Sequence, residues 1–207
     1  MTTPTPDLSW IHLLERGTQD RTLLLLHGTG GDERSLLDLG RRLAPGAGLL
    51  SVRGRSLEEG FPRFFRRFSA IQYDQPHLNA EADALADFTA QAAAHYGLNP
   101  ARVTALGYSN GANIALATLV RRPGIFAGAA LLRPVMALEN PPHPDLGGVR
   151  VLALHGARDP FLPHAAALGP YLRGLGADLT EQTVNAGHEL SPQDLNLTAA
   201  WLGAGQP

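Results

Sequence analysis

One serine in the sequence stands in a setting that favours nucleophilic chemistry. Ser109 is the centre of the pentapeptide G-Y-S-N-G, which follows an apolar run at residues 103–106 and precedes a helix-like run at residues 112–120. A chain that turns from strand into helix within one or two residues forces the central residue into a strained conformation, and bulky neighbours would collide there. The pattern therefore predicts an exposed serine hydroxyl, although a serine before a helix is often only an N-cap.

A serine hydroxyl is a weak nucleophile at neutral pH, so a catalytic Ser109 needs a nearby base and an acid that orients the base. Asp159 follows the apolar run at residues 149–154, and His188 follows a less regular, strand-like run at residues 178–184. The chain order serine, acid, histidine is that of the α/β-hydrolase triad. We therefore predict a triad of Ser109, Asp159 and His188. The rival acid, Asp145, is less well placed because it lies among prolines and away from a strand end.

Acyl transfer also requires hydrogen-bond donors aimed at the oxyanion that forms at the reacting carbonyl. A glycine-rich turn, H-G-T-G-G at residues 27–31, follows the apolar run at residues 22–26. We predict that this turn presents the backbone amide of Thr29 beside the amide of Asn110, at the start of the helix that follows Ser109. The positive end of that helix dipole would stabilise the same negative charge.

The elements that must position these residues alternate between strands and helices. Five short runs are apolar on both faces, as in the central strands of a parallel sheet covered by helices: residues 22–26, 49–52, 103–106, 127–132 and 149–154. Two less regular runs predict an antiparallel edge strand at residues 10–14 and a final strand at residues 178–184. The alternation thus predicts an open, doubly wound, mostly parallel α/β sheet of about seven strands with the active site at the strands' carboxyl ends. Together with the chain order of the triad, this is typical of the α/β-hydrolase fold.

Two predicted helices carry clear end signals. Apolar residues spaced by three or four predict a helix over residues 81–96, with Asn79 as its cap and Gly97 at its end. The serine and proline at residues 191–192 predict the start of the last helix. Only residues 133–148, which include four prolines, resemble a long loop. This loop is too short for a cap domain, so we expect an open site without activation at lipid interfaces.

Composition excludes several classes of function. The chain has 207 residues, enough for one domain over residues 1–207, of which we expect residues 1–8 to form a flexible tail. It has no cysteine and all 17 basic residues are arginine, which excludes thiol catalysis, Schiff-base chemistry and a lysine-dependent phosphate loop. With a net charge of -2, the chain lacks the excess of positive charge that nucleic-acid binding requires. With no signal-like N-terminus and no apolar run of about 20 residues, we expect a cytoplasmic protein without a membrane segment.

The motifs together resemble a known family. The similarity is to the phospholipase/carboxylesterase family of small α/β hydrolases, which includes acyl-protein thioesterases, and it rests on L-L-H-G-T-G-G-D (25–32), G-Y-S-N-G-A-N (107–113), H-G-A-R-D (155–159) and G-H (187–188). The bacterial carboxylesterase branch in particular is suggested by S-N-G-A-N (109–113), R-G (53–54) and F-P-R-F-F-R-R (61–67). This resemblance extends from about residue 20 to the end of the chain.

The resemblance implies a function. It makes Ser109, Asp159 and His188 the triad and gives Thr29 and Asn110 the oxyanion hole. The implied activity is that of a serine carboxylesterase acting on small to medium carboxylic esters through an acyl-enzyme, with no metal or other cofactor. A small-molecule ester is then the expected partner, and the family likeness is compatible with a homodimer. Thioesterase, lysophospholipase and lactone hydrolase activities use the same triad and stay open.

The substrate pocket is expected to involve residues 53–80, which follow a strand end beside the site. Its predicted wall consists of five apolar residues, of which the first three could equally pack in the core: Phe61, Phe64, Phe65, Phe161 and Leu162. The segment also carries Arg53, Arg55 and Arg63. These arginines could pair with a substrate carboxylate or with the glutamates at residues 58 and 59.

Two hypotheses of another class stay open. His27 and His155 both precede glycine at strand ends and could form a metal site with Asp159 and His188, although no pair has the usual ligand spacing. The chain could also be a non-catalytic binding protein that keeps the fold. The first hypothesis predicts loss of activity with a chelator. The second predicts that a fluorophosphonate does not label Ser109.

Overall fold

The computed structural model describes residues 8–204, and the predicted tail at residues 1–8 lies outside this range except for Leu8, which packs against the core. Within this range the chain forms nine strands: β1 (His12–Glu15), β2 (Thr22–Leu26), β3 (Gly48–Val52), β4 (Ser56–Glu58), β5 (Phe61–Arg63), β6 (Val103–Tyr108), β7 (Gly128–Leu132), β8 (Arg150–Gly156) and β9 (Asp178–Val184). It also forms five α-helices: α1 (Leu37–Leu43), α2 (Gln75–Tyr96), α3 (Asn110–Arg121), α4 (Leu168–Gly174) and α5 (Pro192–Ala204).

Seven strands form one central sheet in the order β1-β3-β2-β6-β7-β8-β9. Every neighbouring pair is parallel except β1 with β3, where His12 lies opposite Val52 in an antiparallel register. The predicted α/β-hydrolase fold and its antiparallel edge are thus confirmed. The chain reverses its direction of travel across the sheet between β2 and β6. In open α/β sheets, ligands bind in the crevice at such a switch point.

Alternate residues of the central strands face two separate helical layers. On β2, Leu24 and Leu26 pack in a cluster with α2 and α3, whereas Leu23 and Leu25 pack with α1 and α5. Successive side chains of a strand point to opposite faces, so a strand covered on both sides is apolar at nearly every position. This arrangement explains why all five residues of β2 are buried.

Helix α2 begins earlier than predicted, at Gln75 rather than at residue 81. Asp74 caps it by accepting a hydrogen bond from the His77 amide at 3.0 Å, so Asn79 lies inside the helix and is not its cap. The first turn carries no regular apolar spacing, which is why the sequence signal begins late. The predicted end is correct, because Gly97 has the left-handed φ of 66° that favours glycine. Within residues 8–204, no helix combines the length and apolarity that crossing a bilayer requires.

Strands β4 and β5 form a separate antiparallel hairpin that the sequence did not predict. Each has only three residues, too few for a periodic pattern. The hairpin follows the carboxyl end of β3 and turns through Glu59 and Gly60, both with positive φ. The Gly30 amide donates to the Pro62 carbonyl oxygen at 2.9 Å, which ties the hairpin to the glycine-rich turn after β2. This contact places the hairpin beside the switch point.

Candidate active site

Ser109 lies on the turn that connects β6 to α3. Its backbone has φ 53° and ψ -114°, a conformation that residues with side chains rarely adopt. The turn also explains the glycines of the pentapeptide. A Cβ atom on Gly107 would lie 2.3 Å from the Gly111 carbonyl oxygen, and a Cβ atom on Gly111 would lie 2.0 Å from the Leu26 carbonyl oxygen. Neither position can hold a side chain without moving the backbone.

The Ser109 hydroxyl belongs to a chain of two hydrogen bonds. Its Oγ lies 2.9 Å from His188 Nε2, and His188 Nδ1 lies 2.8 Å from Asp159 Oδ2. When Nδ1–H donates to the carboxylate, Nε2 is free to accept the Ser109 hydroxyl hydrogen. The Ser109 side chain makes no hydrogen bond to the amides of α3, so it does not act as an N-cap. The structure therefore brings together the three residues singled out from the sequence.

Asp159 and His188 are each held from a second side. The second oxygen of the buried Asp159 carboxylate accepts a hydrogen bond from the Phe161 amide at 2.9 Å. The Tyr108 hydroxyl donates to the His188 carbonyl oxygen at 3.1 Å, and the ring of Phe161 meets the imidazole edge-on. The rival acid, Asp145, instead accepts from an amide of its own exposed turn.

Arg133 fixes the loop that carries His188. Its side chain has no exposed surface, and its guanidinium nitrogens lie 2.7 and 2.9 Å from the two carboxylate oxygens of Asp194 at the start of α5. The guanidinium also donates to the carbonyl oxygens of Gly187 and Glu189, on either side of His188. Arg133 was not among the site residues predicted from the sequence. Its place directly after β7, at a strand end, is the same signal that identified the other site residues.

The partner of Arg133 is anchored as well. Burial alone would raise the pKa of Asp194, but hydrogen bonds from Arg133 and Ser191 outweigh it and lower the pKa. Asp194 therefore stays ionised and forms a bidentate, charge-assisted pair with Arg133. Ser191 and Pro192 stand at the start of α5, as predicted.

The two predicted amide donors flank Ser109. Thr29 and Asn110 line the same cavity as Ser109. In the turn after β2, Gly30 and Gly31 already donate to backbone carbonyls, whereas the Thr29 amide has no hydrogen-bond partner within residues 8–204. Asn110 is the first residue of α3, and the first amides of a helix have no partner inside it. Both amides are therefore free to bind an anionic oxygen.

Two asparagines of α3 hold the loops around the cavity. The Asn110 Oδ1 atom accepts a hydrogen bond from the Phe64 amide at 2.8 Å. One turn later, the Asn113 Oδ1 atom accepts from the Val135 amide at 2.9 Å. The first bond fixes the segment after the β4–β5 hairpin, and the second fixes the loop after β7. The helix that follows the serine thus positions both loops.

His27 and His155 have structural partners instead of a shared ligand site. His27 is buried, with Nδ1 2.6 Å from the Gly28 carbonyl oxygen and Nε2 accepting from the Gly54 amide at 3.0 Å. Burial lowers the pKa of His27, which favours the neutral ring that this pattern requires. His155 Nε2 lies 3.2 Å from Glu181 Oε1. In the described part of the chain, no three histidine or acidic residues come together as a metal site would require.

A cavity of about 250 Å³ opens beside Ser109 and His188. Of the predicted wall residues, Phe161 lines it, but Phe64 and Phe65 do not. Both rings are fully buried beneath the site, Phe64 stacked near Trp10 and Phe65 edge-on to Tyr73. Phe64 and Phe65 therefore belong to the hydrophobic core and do not form part of the pocket wall.

Phe61 and Leu162, the other two residues predicted for the pocket wall, do not line the cavity either. Phe61 is 56% exposed at the start of β5 and lies against Gly30, outside the cavity lining. Leu162 lines a separate hollow beside His155. The walls are instead more polar than predicted and include the following side chains: Thr29, Arg63, Arg67, Tyr73, Tyr108 and Asn113.

Two of the three arginines expected near the pocket have partners inside the protein. Arg53 Nε lies 2.6 Å from a carboxylate oxygen of Glu33. Arg55 makes two hydrogen bonds, of 3.0 and 3.1 Å, to the carboxylate of Glu81. Neither pairs with the glutamates at residues 58 and 59, the partners considered from the sequence. Arg63, at the end of β5, lines the cavity itself.

Comparison with known proteins agrees with this architecture. No family model matches the chain. MhqD of Bacillus subtilis (strain 168), a candidate hydrolase, is 41% identical over 192 residues, which cover 92% of this chain and 96% of MhqD. The crystal structure of a carboxylesterase from Mesorhizobium loti has a TM-score of 0.92 at 38% identity and covers 98% of both chains. The Bacillus cereus carboxylesterase has a TM-score of 0.92 at 33% identity and covers 96% of this chain and 95% of its own.

The chain shares this level of sequence identity with its relatives over nearly its whole length, and its fold superposes closely on the two carboxylesterase structures. The strained serine turn at the switch point is the feature that the sequence motifs predicted. The chain therefore belongs to the bacterial carboxylesterase branch of the α/β-hydrolase superfamily.

Proposed function

We propose that the protein is a serine carboxylesterase that hydrolyses small to medium carboxylic esters through an acyl-enzyme. The observation that carries this proposal is the continuous hydrogen-bonded chain from Ser109 Oγ through His188 to Asp159. A serine with a purely structural role has no need of a histidine and a buried carboxylate in this order. The carboxylesterases among its relatives support the same reaction class.

The first half of the reaction acylates the serine. His188 Nε2 accepts the hydroxyl proton while Ser109 Oγ forms a bond to the ester carbonyl carbon, and the carbonyl electron pair moves to oxygen. The amides of Thr29 and Asn110 bind that oxyanion, and the amino terminus of α3 adds partial positive charge. When the carbonyl reforms, the bond to the alkoxy oxygen breaks and the protonated His188 gives its proton to the leaving alcohol.

The second half releases the acid. Water takes the place of the alcohol, gives a proton to His188 and attacks the acyl carbon. Collapse of this second tetrahedral intermediate returns the proton to Ser109 Oγ and frees the carboxylic acid. In both halves Asp159 holds His188 with Nε2 facing the serine and stabilises the cationic imidazolium. Apart from the ester and water, these steps use only residues of the chain.

The cavity supports a limit on substrate size. Its volume of about 250 Å³ lies below the range of about 300–1,000 Å³ that is usual for sites that enclose drug-sized ligands. Small and medium esters fit this space better than long acyl chains.

Covalent labelling tests the mechanism directly. A fluorophosphonate should label the protein with one equivalent at Ser109, and Ser109→Ala should lose both the label and ester hydrolysis. Ser9→Ala is the matched control, because Ser9 is exposed and lies outside the cavity lining, and it should keep both. Exhaustive dialysis against a chelator should leave activity unchanged. No labelling of the folded wild type would favour a binding protein, and loss of activity with the chelator would favour a metal hydrolase.

A further inference from the structure

The cavity beside Ser109 carries positive charge that the protein does not balance. Three arginines line it, Arg63, Arg67 and Arg133, and its described lining contains no aspartate or glutamate. The charge of Arg133 is matched by Asp194. Neither Arg63 nor Arg67 forms an ion pair with any residue from 8 to 204. Two cationic side chains are thus left facing one small space.

Arg63 is the more unusual of the two. Only 3% of the residue is exposed, and its guanidinium donates to the Thr29 Oγ1 atom at 2.5 Å and to the Phe65 carbonyl oxygen at 3.4 Å. Both acceptors are neutral. Burial and the nearby charge of Arg67 lower the pKa of Arg63 to about 10, and the carboxylates of Glu58 and Glu59, which form no ion pair with it, offset this only in part, so the group remains charged at neutral pH. A buried charge without a counter-charge is costly unless a ligand supplies one.

The neighbouring arginines show that the same segment can neutralise its charges. Arg53 and Arg55 each reach a glutamate within 3.1 Å. Arg63 comes only eight residues after Arg55 in the sequence and points its charge into the cavity lining instead. Of the five arginines between residues 53 and 67, Arg66 is also paired, with Asp74, and the two without an ion pair inside the described part of the chain, Arg63 and Arg67, are the two that line the cavity.

The position of Arg63 also indicates where an anion would lie. Its hydrogen bond to the Thr29 side chain joins it to the residue whose amide we assign to the oxyanion hole. An anionic group bound by Arg63 would then lie only a few bonds from the reacting carbonyl. A planar guanidinium binds a carboxylate through two parallel hydrogen bonds, which orients as well as attracts it.

We propose that the preferred substrates are short esters that carry a free carboxylate, bound by Arg63 and Arg67. This inference rests on the serine esterase function proposed above and specifies its substrate class. Half-esters of short dicarboxylic acids place the carboxylate on the acyl side of the scissile bond. Acetate esters of short hydroxy acids place it on the alcohol side. Both types present the same chemistry to the two arginines.

Matched esters test the proposal. Monoethyl succinate, glutarate and adipate carry the carboxylate on the acyl side, 3-acetoxypropionate carries it on the alcohol side, and diethyl glutarate and ethyl pentanoate are neutral controls. Hydrolysis is followed at neutral pH by titration of the released acid. In the wild type, kcat/KM should be at least about tenfold higher for the best anionic ester than for the neutral ones, as expected for a charge-assisted contact. Added salt should reduce this preference.

Three substitutions locate the effect. Arg67→Gln and Arg63→Gln should each reduce the ratio of anionic to neutral kcat/KM by about tenfold or more. Arg42→Gln, an exposed arginine at the end of α1, should leave the ratio at the wild-type value. Circular dichroism checks that each variant is folded. Arg67 is only partly buried, so its variant keeps the test valid if loss of Arg63 disturbs the hairpin.

The outcomes separate this inference from the esterase proposal. Hydrolysis of neutral esters through Ser109 with no preference for anionic ones would overturn the inference alone. An unchanged ratio in both arginine variants would also overturn it. Calorimetry with Ser109→Ala measures binding without turnover, and monoethyl glutarate should bind more tightly than diethyl glutarate. Equal or weaker binding of the anionic ester there contradicts the anion site, whatever the catalytic result.

Discussion

The guanidinium of Arg133 and the carboxylate of Asp194 form a bidentate ion pair with no exposed side-chain surface on either partner. Arg133 follows a central strand, and Asp194 lies in the first turn of the last helix. The pair therefore connects two distant parts of the chain. Because Arg133 also holds the carbonyls on both sides of His188, the pair contributes both to stability and to the position of the His188 imidazole.

Breaking this pair should destabilise the protein strongly. In Arg133→Met the Asp194 carboxylate would be left buried without its counter-charge, so we expect the free energy of unfolding to fall by about 3–5 kcal/mol. Urea denaturation measures the loss. Arg122→Gln is the control, because Arg122 and its partner Asp87 are 42% and 55% exposed, and it should cost less than about 1 kcal/mol.

The double variant Arg133→Met/Asp194→Leu removes both charges. It should recover a large part of the lost stability, because no buried charge is left unpaired. It should not recover full esterase activity, since the carbonyls beside His188 still lack their donor. A loss from Arg133→Met no larger than that from Arg122→Gln would contradict this account.

The serine turn should not tolerate a methyl group at Gly111. In Gly111→Ala the new Cβ would lie 2.0 Å from the Leu26 carbonyl oxygen, so backbone must move. We expect a loss of at least about 2 kcal/mol in unfolding free energy and loss of fluorophosphonate labelling. Gly203→Ala is the matched control. It lies in α5 with no atom near the added Cβ, and the change should stabilise the helix by up to about 1 kcal/mol.

Two aspartates were candidates for the acid, and they should respond differently to the same substitution. Asp159→Asn keeps an oxygen for the Phe161 amide but loses the charge beside His188. We expect kcat to fall by about 10³-fold to 10⁴-fold, as the wrong imidazole tautomer becomes favoured. Asp145→Asn should change kcat by less than about twofold, since Asp145 only accepts a bond within its own turn. Steady-state kinetics with one neutral ester compares the two, and equal effects would reject the assignment.

His27 should make stability depend on pH. Burial lowers its folded pKa below the ordinary value of 6.5, so the unfolded chain binds a proton at a higher pH than the folded protein does. The contribution is present above about pH 6.5 and is lost as the pH falls from there towards the folded pKa, with a slope of up to about 1.4 kcal/mol per pH unit.

Urea denaturation at a series of pH values measures this slope. In His27→Gln the slope below about pH 6.5 should be shallower, because the proton that only the unfolded chain binds is no longer available. His164→Gln, a change at an exposed histidine, serves as the control for loss of an imidazole. Equal slopes in wild type and His27→Gln would show that other groups dominate the acid sensitivity.

The sequence predicted most of the sheet and the residues around Ser109, because these features have short-range signals. Continuous apolar runs mark strands covered on both faces, and the glycine pair marks a turn without room for side chains. The pocket wall was harder to predict. Phe61 lies in β5 and is exposed, whereas Phe64 and Phe65 follow this strand and are fully buried, and no local sequence pattern distinguishes the three. The pairing of Arg133 with Asp194 likewise depends on two elements that meet only in the folded chain.

The contacts of Asn110 and Asn113 bear on how the substrate range of this enzyme can change. Each asparagine holds one loop of the cavity through a single hydrogen bond to a backbone amide, and a backbone amide is present whatever side chain the loop carries. The loops can therefore exchange side chains without losing their attachment. A mutant library confined to the cavity-lining positions Arg67, Ala70 and Val135, with both asparagines kept, would explore new specificities while leaving the attachment of the loops in place.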